Sequence, residues 1–148
     1  MHFEHLLATD PASSLVADDH GRTIAFGNVM RRDDHAYLSF LFVEPSWQGR
    51  GIGRAVFDAC VDAIEGLTGA LHVATCAEAD QAVSTALYAS MGLSPRTPVY
   101  LLRGTLPDSS LPSPADGVQA VAVDRDQVER LDRELVGYRR PQDHALWA

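Results

Sequence analysis

The chain has 148 residues, 46% hydrophobic and 22% charged, enough apolar content for one domain with a packed core and too much for a disordered chain. Twenty acidic against twelve basic residues give a formal net charge of −8, which argues against nucleic acid or an anionic membrane as main partner, since both would repel the surface. No apolar run is long enough for a bilayer, the N-terminus has no signal pattern, and the only cysteines, Cys60 and Cys76, make no disulfide framework, so a cytoplasmic location is expected.

In chain order, Phe3, Leu6 and Leu7 are at helical spacing ahead of Asp10-Pro11, which stops a helix, so residues 2–13 hold at most a short one. Ser14 to Ala17 and Thr23 to Met30 read as strands joined by a hairpin turn at Asp18-Asp19-His20-Gly21. Arg31 to Asp34 is a second turn, and Ala36 to Val43 is a long apolar strand. Gly51 to Leu67 is an amphipathic helix with Ile52, Val56, Cys60, Ala63, Ile64 and Leu67 on one face. Leu71 to Thr75 is a short strand. Asp80 to Met91 is helical with Val83, Leu87 and Met91 on one stripe and Gly92 at its stop. Val99 to Leu102 reads as a last strand, moved towards a sheet edge by Pro95 and Pro98. Residues 107–117 have a linker composition. Beyond them Val118 to Val123 alternates like a strand, Asp124 and Gln127 form a capping box, and Val128, Leu131 and Leu135 make a helical stripe.

The junction at residues 41–57 carries the chemistry. An apolar run ends at Val43-Glu44-Pro45, then come glycines at alternate positions 49, 51 and 53, then a helix. Such a turn lets main chain approach a ligand closely, and the helix that follows begins with unpaired N–H groups and a partial positive charge. It suits an anion, above all a phosphate, with each N–H to a charged oxygen contributing roughly 1.5–3 kcal/mol. A dinucleotide fingerprint would need a third glycine three places after the second, and a P-loop would need Gly-Lys-Ser/Thr; neither is present.

What the turn does contain, Gln48-x-x-Gly51-x-Gly53 after Val43-x-Pro45, resembles the pyrophosphate-binding motif of the GNAT acyltransferase superfamily. The order strand, strand, strand, helix, strand, helix, strand from Ser14 to Leu102 is similar to that family's core over about two-thirds of the chain, without its usual opening strand and helix or a clear final hairpin. The resemblance implies an α/β (α+β) fold, with a mixed, mostly antiparallel sheet flanked by helices. It implies acetyl-CoA as acyl donor, held by Gln48, Gly49, Arg50, Gly51, Ile52, Gly53 and Arg54. The pantetheine arm would lie against the main chain of Leu41, Phe42 and Val43. Arg54 has the alternative of pairing with Asp58 on the solvated helix face. Ala86 to Leu93 is similar to the family's second motif, in which a Tyr four residues before a Gly protonates the coenzyme A thiolate; here that is Tyr88, and a phenol is protonated at neutral pH. Where the family has an Asn seven residues earlier, this chain has Gln81, the last expected coenzyme contact.

A general base is harder to find, because Ala36 to Val43 lacks the carboxylate that family members often carry on this strand and Glu44 sits at the turn, facing solvent. His35, His72, Ser39 and Glu78 are the candidates, each also readable as structural. The histidines and cysteines have no zinc-site spacing, so no metal is expected.

Three segments follow: residues 1–106 as the acyl-CoA-binding domain, 107–117 as linker and 118–148 as a strand and helix. The end of this tail, Gly137 to Leu146, resembles the opening of the second half in tandem GNAT proteins. The tail is expected to complete the sheet in cis or to swap into a second subunit, which would make a homodimer; the alternative is a mobile remnant. The leading function is N-acetyl transfer from acetyl-CoA to an amine of unknown identity by direct attack. The competing ones are a non-catalytic acyl-CoA-binding or regulatory domain and, more weakly, an oligomerisation module.

Overall fold

The computed structural model describes residues 2–65, 72–105, 117, 119, 121–122 and 124–147. Helix α1 (His2–Thr9) ends at Asp10-Pro11, as the missing proline N–H requires, and a 3-10 turn at Pro11–Ser13 leads into β1 (Ser14–Asp19). The hairpin to β2 (Arg22–Arg32) turns on His20 and Gly21, both at positive φ (51° and 86°), the backbone hand that matches strand twist in a two-residue loop. The Gly21 N–H donates to Asp18 Oδ1 at 2.7 Å. Strand β3 (His35–Val43), a 3-10 turn at Pro45–Trp47, helix α2 (Ile52–Glu65), strand β4 (His72–Thr75) and helix α3 (Ala82–Ser90) follow, then α4 (Arg125–Leu135) and α5 (Pro141–Trp147) in the tail.

The sheet order is β1-β2-β3-β4, antiparallel except for β3 and β4, which run parallel from His35 opposite His72 to Leu38 opposite Thr75. Between β2 and β3 the register slips. Asn28 faces Phe40 and Val29 faces Leu38, which leaves Ser39 as the extra residue of a bulge. The slip changes which side chains of β3 point at α2. Ala36 and Leu38 do so before it, Leu41 and Val43 after it, and both pairs belong to the cluster with Ala25, Val29, Val56, Phe57, Cys60 and Ile64. Each large apolar side chain buried here contributes about 1.5–3 kcal/mol. Helix α2 comes close to β2 because Gly27 has no side chain. A Cβ there would lie 2.8 Å from Val56 Cγ1 and 3.2 Å from Cys60 Sγ.

On the opposite face of the sheet, Phe3 of α1 stacks on Phe40 with ring centroids 4.4 Å apart, and Phe26 and Phe42 extend the cluster at 5.2 Å. At the other end of this face Arg32, only 3% exposed, is the anchor. Its Nη1 donates to both oxygens of Asp10 at 3.0 Å, and its Nε and Nη2 donate to Asp143 of α5 at 3.1 and 2.6 Å. His5 Nε2 lies 3.3 Å from the same carboxylate. Beside this network the Arg139 N–H donates to Asp33 at 2.8 Å, and the Tyr138 ring stacks on His35 at 4.4 Å. Helix α4 is held to α5 by the buried Asp132, which accepts from Arg140 at 3.0 and 3.1 Å and meets His144. Its first turn carries the capping box expected of Asp124 and Gln127, with both reciprocal bonds made. Ion pairs and the Tyr138–His35 stack thus link α5 and the residues before it to the end of the sheet, and Asp132 links α4 to them.

Several expectations differ from what is observed. Val99 to Leu102 forms no strand, and these side chains are 76–87% exposed. Apolar alternation holds an extended segment in a sheet only where a ladder partner is available, and the flanking prolines remove donors. Val118, Ala120 and Val123 of the expected tail strand lie outside the described residues, and Gln119, Val121 and Ala122 are not in a strand. The linker also lies outside them, apart from Gly117. Val83 is 71% exposed; the inward side is carried by Leu87 and Tyr88 of α3 and by Met91 at its C-cap. Glu44 does not simply face solvent, since it pairs with Arg22 and accepts from Ser46 at 3.1 Å. Among the described residues no helix is long and apolar enough to cross a membrane, and no cluster of His, Cys, Asp or Glu could hold a metal ion.

Candidate functional site

The glycine-rich turn is built by its backbone. Gly49 and Gly51 have φ of 74° and 81°, a region that costs an L side chain roughly 1–2 kcal/mol. A Cβ built on either would meet nothing within 4 Å, so both face open space. Helix α2 starts immediately after, its first recorded bond running from the Ala55 N–H to the Gly51 carbonyl at 3.0 Å. Among the described residues, the N–H groups from Gly49 to Arg54 donate to no backbone acceptor, as the first turn of a helix dictates. Gly53 differs from the other two. A Cβ there would touch Val43 Cγ2 at 3.5 Å and Leu87 Cδ2 at 3.6 Å, so this glycine lets α2 sit against β3 and α3.

The expected side chains around the turn take other partners. Gln48 Nε2 donates to the Val43 carbonyl at 3.0 Å and braces the loop against the end of β3. Arg50 lies over the Trp47 ring, 4.8 Å from its centroid, and is exposed. Arg54 is paired along the helix with Asp58, Nε to both oxygens at 2.9 and 3.0 Å, the alternative the sequence offered.

Beside the turn, β3 and β4 part company. Their ladder stops at Leu38 and Thr75, so among the described residues the main chain of Ser39 to Val43 has no strand on that side. Here an extended ligand could add to the sheet by its own amides, as an added strand does. Leu41 and Val43 pack on the core and the half-exposed Phe42 belongs to the aromatic face, so it is their main chain that such a ligand would meet along the strand. At the bulge the Ser39 hydroxyl is buried and, among the described residues, has no hydrogen-bond partner, a costly arrangement that a ligand group or water would relieve. The free N–H row, the open space over Gly49 and Gly51 and this orphaned hydroxyl fit a phosphate-bearing, amide-containing molecule.

Tyr88 lies across the opening. Burial pushes its phenol above the ordinary value, and a hydrogen bond with Thr75 partly offsets that rise. Thr75 in turn donates to the Leu38 carbonyl at 3.0 Å, the last residue of the ladder. The proton of Tyr88 is therefore held at neutral pH and placed where β3 and β4 separate. Gln81 is the residue before α3, exposed, its carbonyl accepting from the Thr85 N–H at 3.1 Å and the Ser84 hydroxyl at 3.0 Å.

Of the four candidate bases, His35 lines a cavity. Its Nδ1 lies 2.8 Å from Asp34 Oδ1, and its ring is stacked on Tyr138. The cavity lies between α1, the ends of β2 and β3, and the tail, and His5, Met30, Tyr37, Tyr138 and Leu146 help to line it. His72 is largely exposed, 5.1 Å from His35 between ring centroids, and Glu78 is exposed. Tyr37 and Tyr138 are not among the residues expected from the sequence. Strand alternation puts Tyr37 on the face of His35, whereas nothing local in the sequence brings Tyr138 there.

The fold has counterparts among solved structures. An aminoglycoside N-acetyltransferase solved with coenzyme A matches at 20% identity and TM-score 0.53, over 63% of this chain and 75% of that one. The ribosomal-protein alanine N-acetyltransferase of Escherichia coli matches at 26% identity and TM-score 0.53, over 64% of this chain and 61% of that one. A candidate acetyltransferase from Pyrococcus horikoshii matches at 17% identity and TM-score 0.66, over 95% of this chain but only 47% of its own length. No curated protein matches the chain. The sequence model of the acetyltransferase (GNAT) family matches residues 2–93, a span that runs from α1 through the glycine turn to the end of α3. With the mixed sheet, the bulged third strand and the parted β3 and β4 all falling within that span, the chain belongs to the GNAT acetyltransferase family.

Proposed function

We propose that the protein transfers an acetyl group from acetyl-CoA to an amine by direct attack of the amine on the thioester. The observation that carries this is the Gly49–Arg54 turn, whose N–H row and open space beside positive-φ glycines are what a pyrophosphate needs, in a chain of this family. Main chain of Leu41 to Val43 would hold the pantetheine amides, with Gln81 at the neighbouring helix start. As the amine nitrogen bonds to the carbonyl carbon, the carbon–sulfur bond breaks and the sulfur takes its proton from Tyr88. The amine proton goes to His35, a candidate base that lines the cavity, with its ring oriented by Asp34 and Tyr138. The aminoglycoside and ribosomal-protein enzymes support transfer to nitrogen and do not name the acceptor here.

A non-catalytic acyl-CoA-binding domain is the second reading, favoured by a β3 without any carboxylate. Release of free thiol from acetyl-CoA over a panel of amines, beside calorimetry with coenzyme A, separates the two. Tight coenzyme A binding with no thiol release for any amine would leave the binding domain.

A further inference from the structure

The cavity on the second face of the sheet differs chemically from a site for a polycation. Its charged groups already have ionic partners within the protein. Arg32 is clamped between Asp10 and Asp143, Asp143 is shared with His5, and Arg140 is held by Asp132. A polyamine or an aminoglycoside needs several carboxylates with capacity to spare. Among the described residues the carboxylate in the lining is Asp143; burial pushes it up, but Arg32 more than offsets this and holds it below the usual carboxylate range, so it is ionised and committed. The rest of the wall is Leu6, Met30 and Leu146 with the rings of His35, Tyr37 and Tyr138. These bury an apolar body, and they disfavour an ammonium by desolvation while leaving the neutral, nucleophilic amine unpenalised.

Tyr37 connects this cavity to the reacting end of the proposed site. Its ring lines the cavity and its hydroxyl meets the main chain of Cys76, next to Thr75. The tail supplies Tyr138 and Leu146, so one wall of the cavity exists only when α5 is docked. Taking acetyl transfer as proposed above, we infer that this cavity selects a small monoamine with an aromatic or branched apolar body, and that the C-terminal tail is the part of the chain that recognises it.

The test uses the full chain with coenzyme A saturating. Phenethylamine, spermidine and kanamycin are each titrated by calorimetry, and thiol release from acetyl-CoA is followed with the same three amines. Phenethylamine should bind and turn over with kcat/KM at least tenfold above both polycations. Tyr138→Ala should raise KM for phenethylamine about tenfold with coenzyme A affinity and melting temperature unchanged, while Tyr138→Phe, which keeps the ring, should restore it. Preference for spermidine or kanamycin, absence of phenethylamine binding, or a Tyr138→Ala protein with KM within twofold would each overturn the inference. Should Tyr138→Ala lower the melting temperature, Leu146→Ala carries the same comparison. Failure of acetyl transfer itself reads out separately, as loss of coenzyme A binding or as amine binding without thiol release.

Discussion

Removing the Asp143 carboxylate tests whether the tail is part of the folded domain. In Asp143→Ala, Arg32 would keep its bonds from Nη1 to Asp10 but lose those from Nε and Nη2, in a side chain 3% exposed. Breaking one partner of a buried ion pair generally costs about 3–5 kcal/mol, mostly through the charge left behind. Because Asp10 still balances the guanidinium, the lower end applies, about 3 kcal/mol. For a domain of this size that corresponds to a fall in Tm of roughly 6–12 °C. The effect has a sign in pH. Arg32 and His5 hold Asp143 below the usual carboxylate range against the opposing effect of burial. A carboxyl with a depressed folded pKa stabilises fully above its unfolded value of about 4, and that stabilisation is lost as pH falls through the folded value. The difference in Tm between the wild type and Asp143→Ala, read by calorimetry, should therefore shrink as the pH falls below about 4. A Tm change under 2 °C at pH 7 would refute docking of α5 through Arg32 and with it the tail's part in the cavity.

Gly51→Val should lower coenzyme A affinity at least about 100-fold by calorimetry, since the side chain would fill the open space and cover N–H groups contributing roughly 1.5–3 kcal/mol each; unchanged affinity in a folded protein would move the ligand elsewhere. Tyr88→Phe keeps the ring and removes the proton, so kcat for the best amine should fall about 10- to 1000-fold with acetyl-CoA affinity nearly constant; a change within twofold would make Tyr88 a packing residue. His35→Gln should lower kcat about 100-fold with coenzyme A affinity unchanged, and a near-normal rate would reduce His35 to a wall of the cavity. Gly27→Ala should cost about 1–3 kcal/mol in denaturant unfolding, because its Cβ would lie 2.8 Å from a branch of Val56 that is stiff within a helix; a neutral result would mean that α2 shifts freely on the sheet.

The parts of the fold that were legible in the sequence are those whose signal is local. The hairpin at His20-Gly21, the amphipathic run of α2, the stop at Asp10-Pro11 and the capping box at Asp124 each depend on residues within a few positions of one another, and each is found. The glycine turn was legible for the same reason, although the three glycines do different work: positions 49 and 51 provide the backbone conformation and 53 the packing distance. Long-range features were not legible. Val99 to Leu102 has the composition of a strand, but its pairing depends on an edge that composition does not report. The Arg32 clamp joins positions 10, 32 and 143, and Tyr138 reaches His35 across about a hundred residues; no periodicity encodes either contact.

One extra residue ties the two faces of the sheet to the proposed chemistry. Were Ser39 paired in regular register instead of bulged, β3 would keep one alternation throughout. Leu41 and Val43 would then turn to the aromatic face, while Phe40 and Phe42 would turn into the space that α2 occupies. With it, small and aliphatic side chains meet α2 along the whole strand and the aromatic ones gather under α1. The bulge also falls one residue past Leu38, where the ladder to β4 ends, so the place where the sheet opens and the place where the strand rotates coincide. That coincidence puts the unpaired main chain of β3 beside the glycine turn on one side and leaves Tyr37 directed at the cavity on the other. A donor along the strand and an acceptor in the cavity would thus meet across the thickness of a single β-strand, with Tyr88 held at the opening by Thr75.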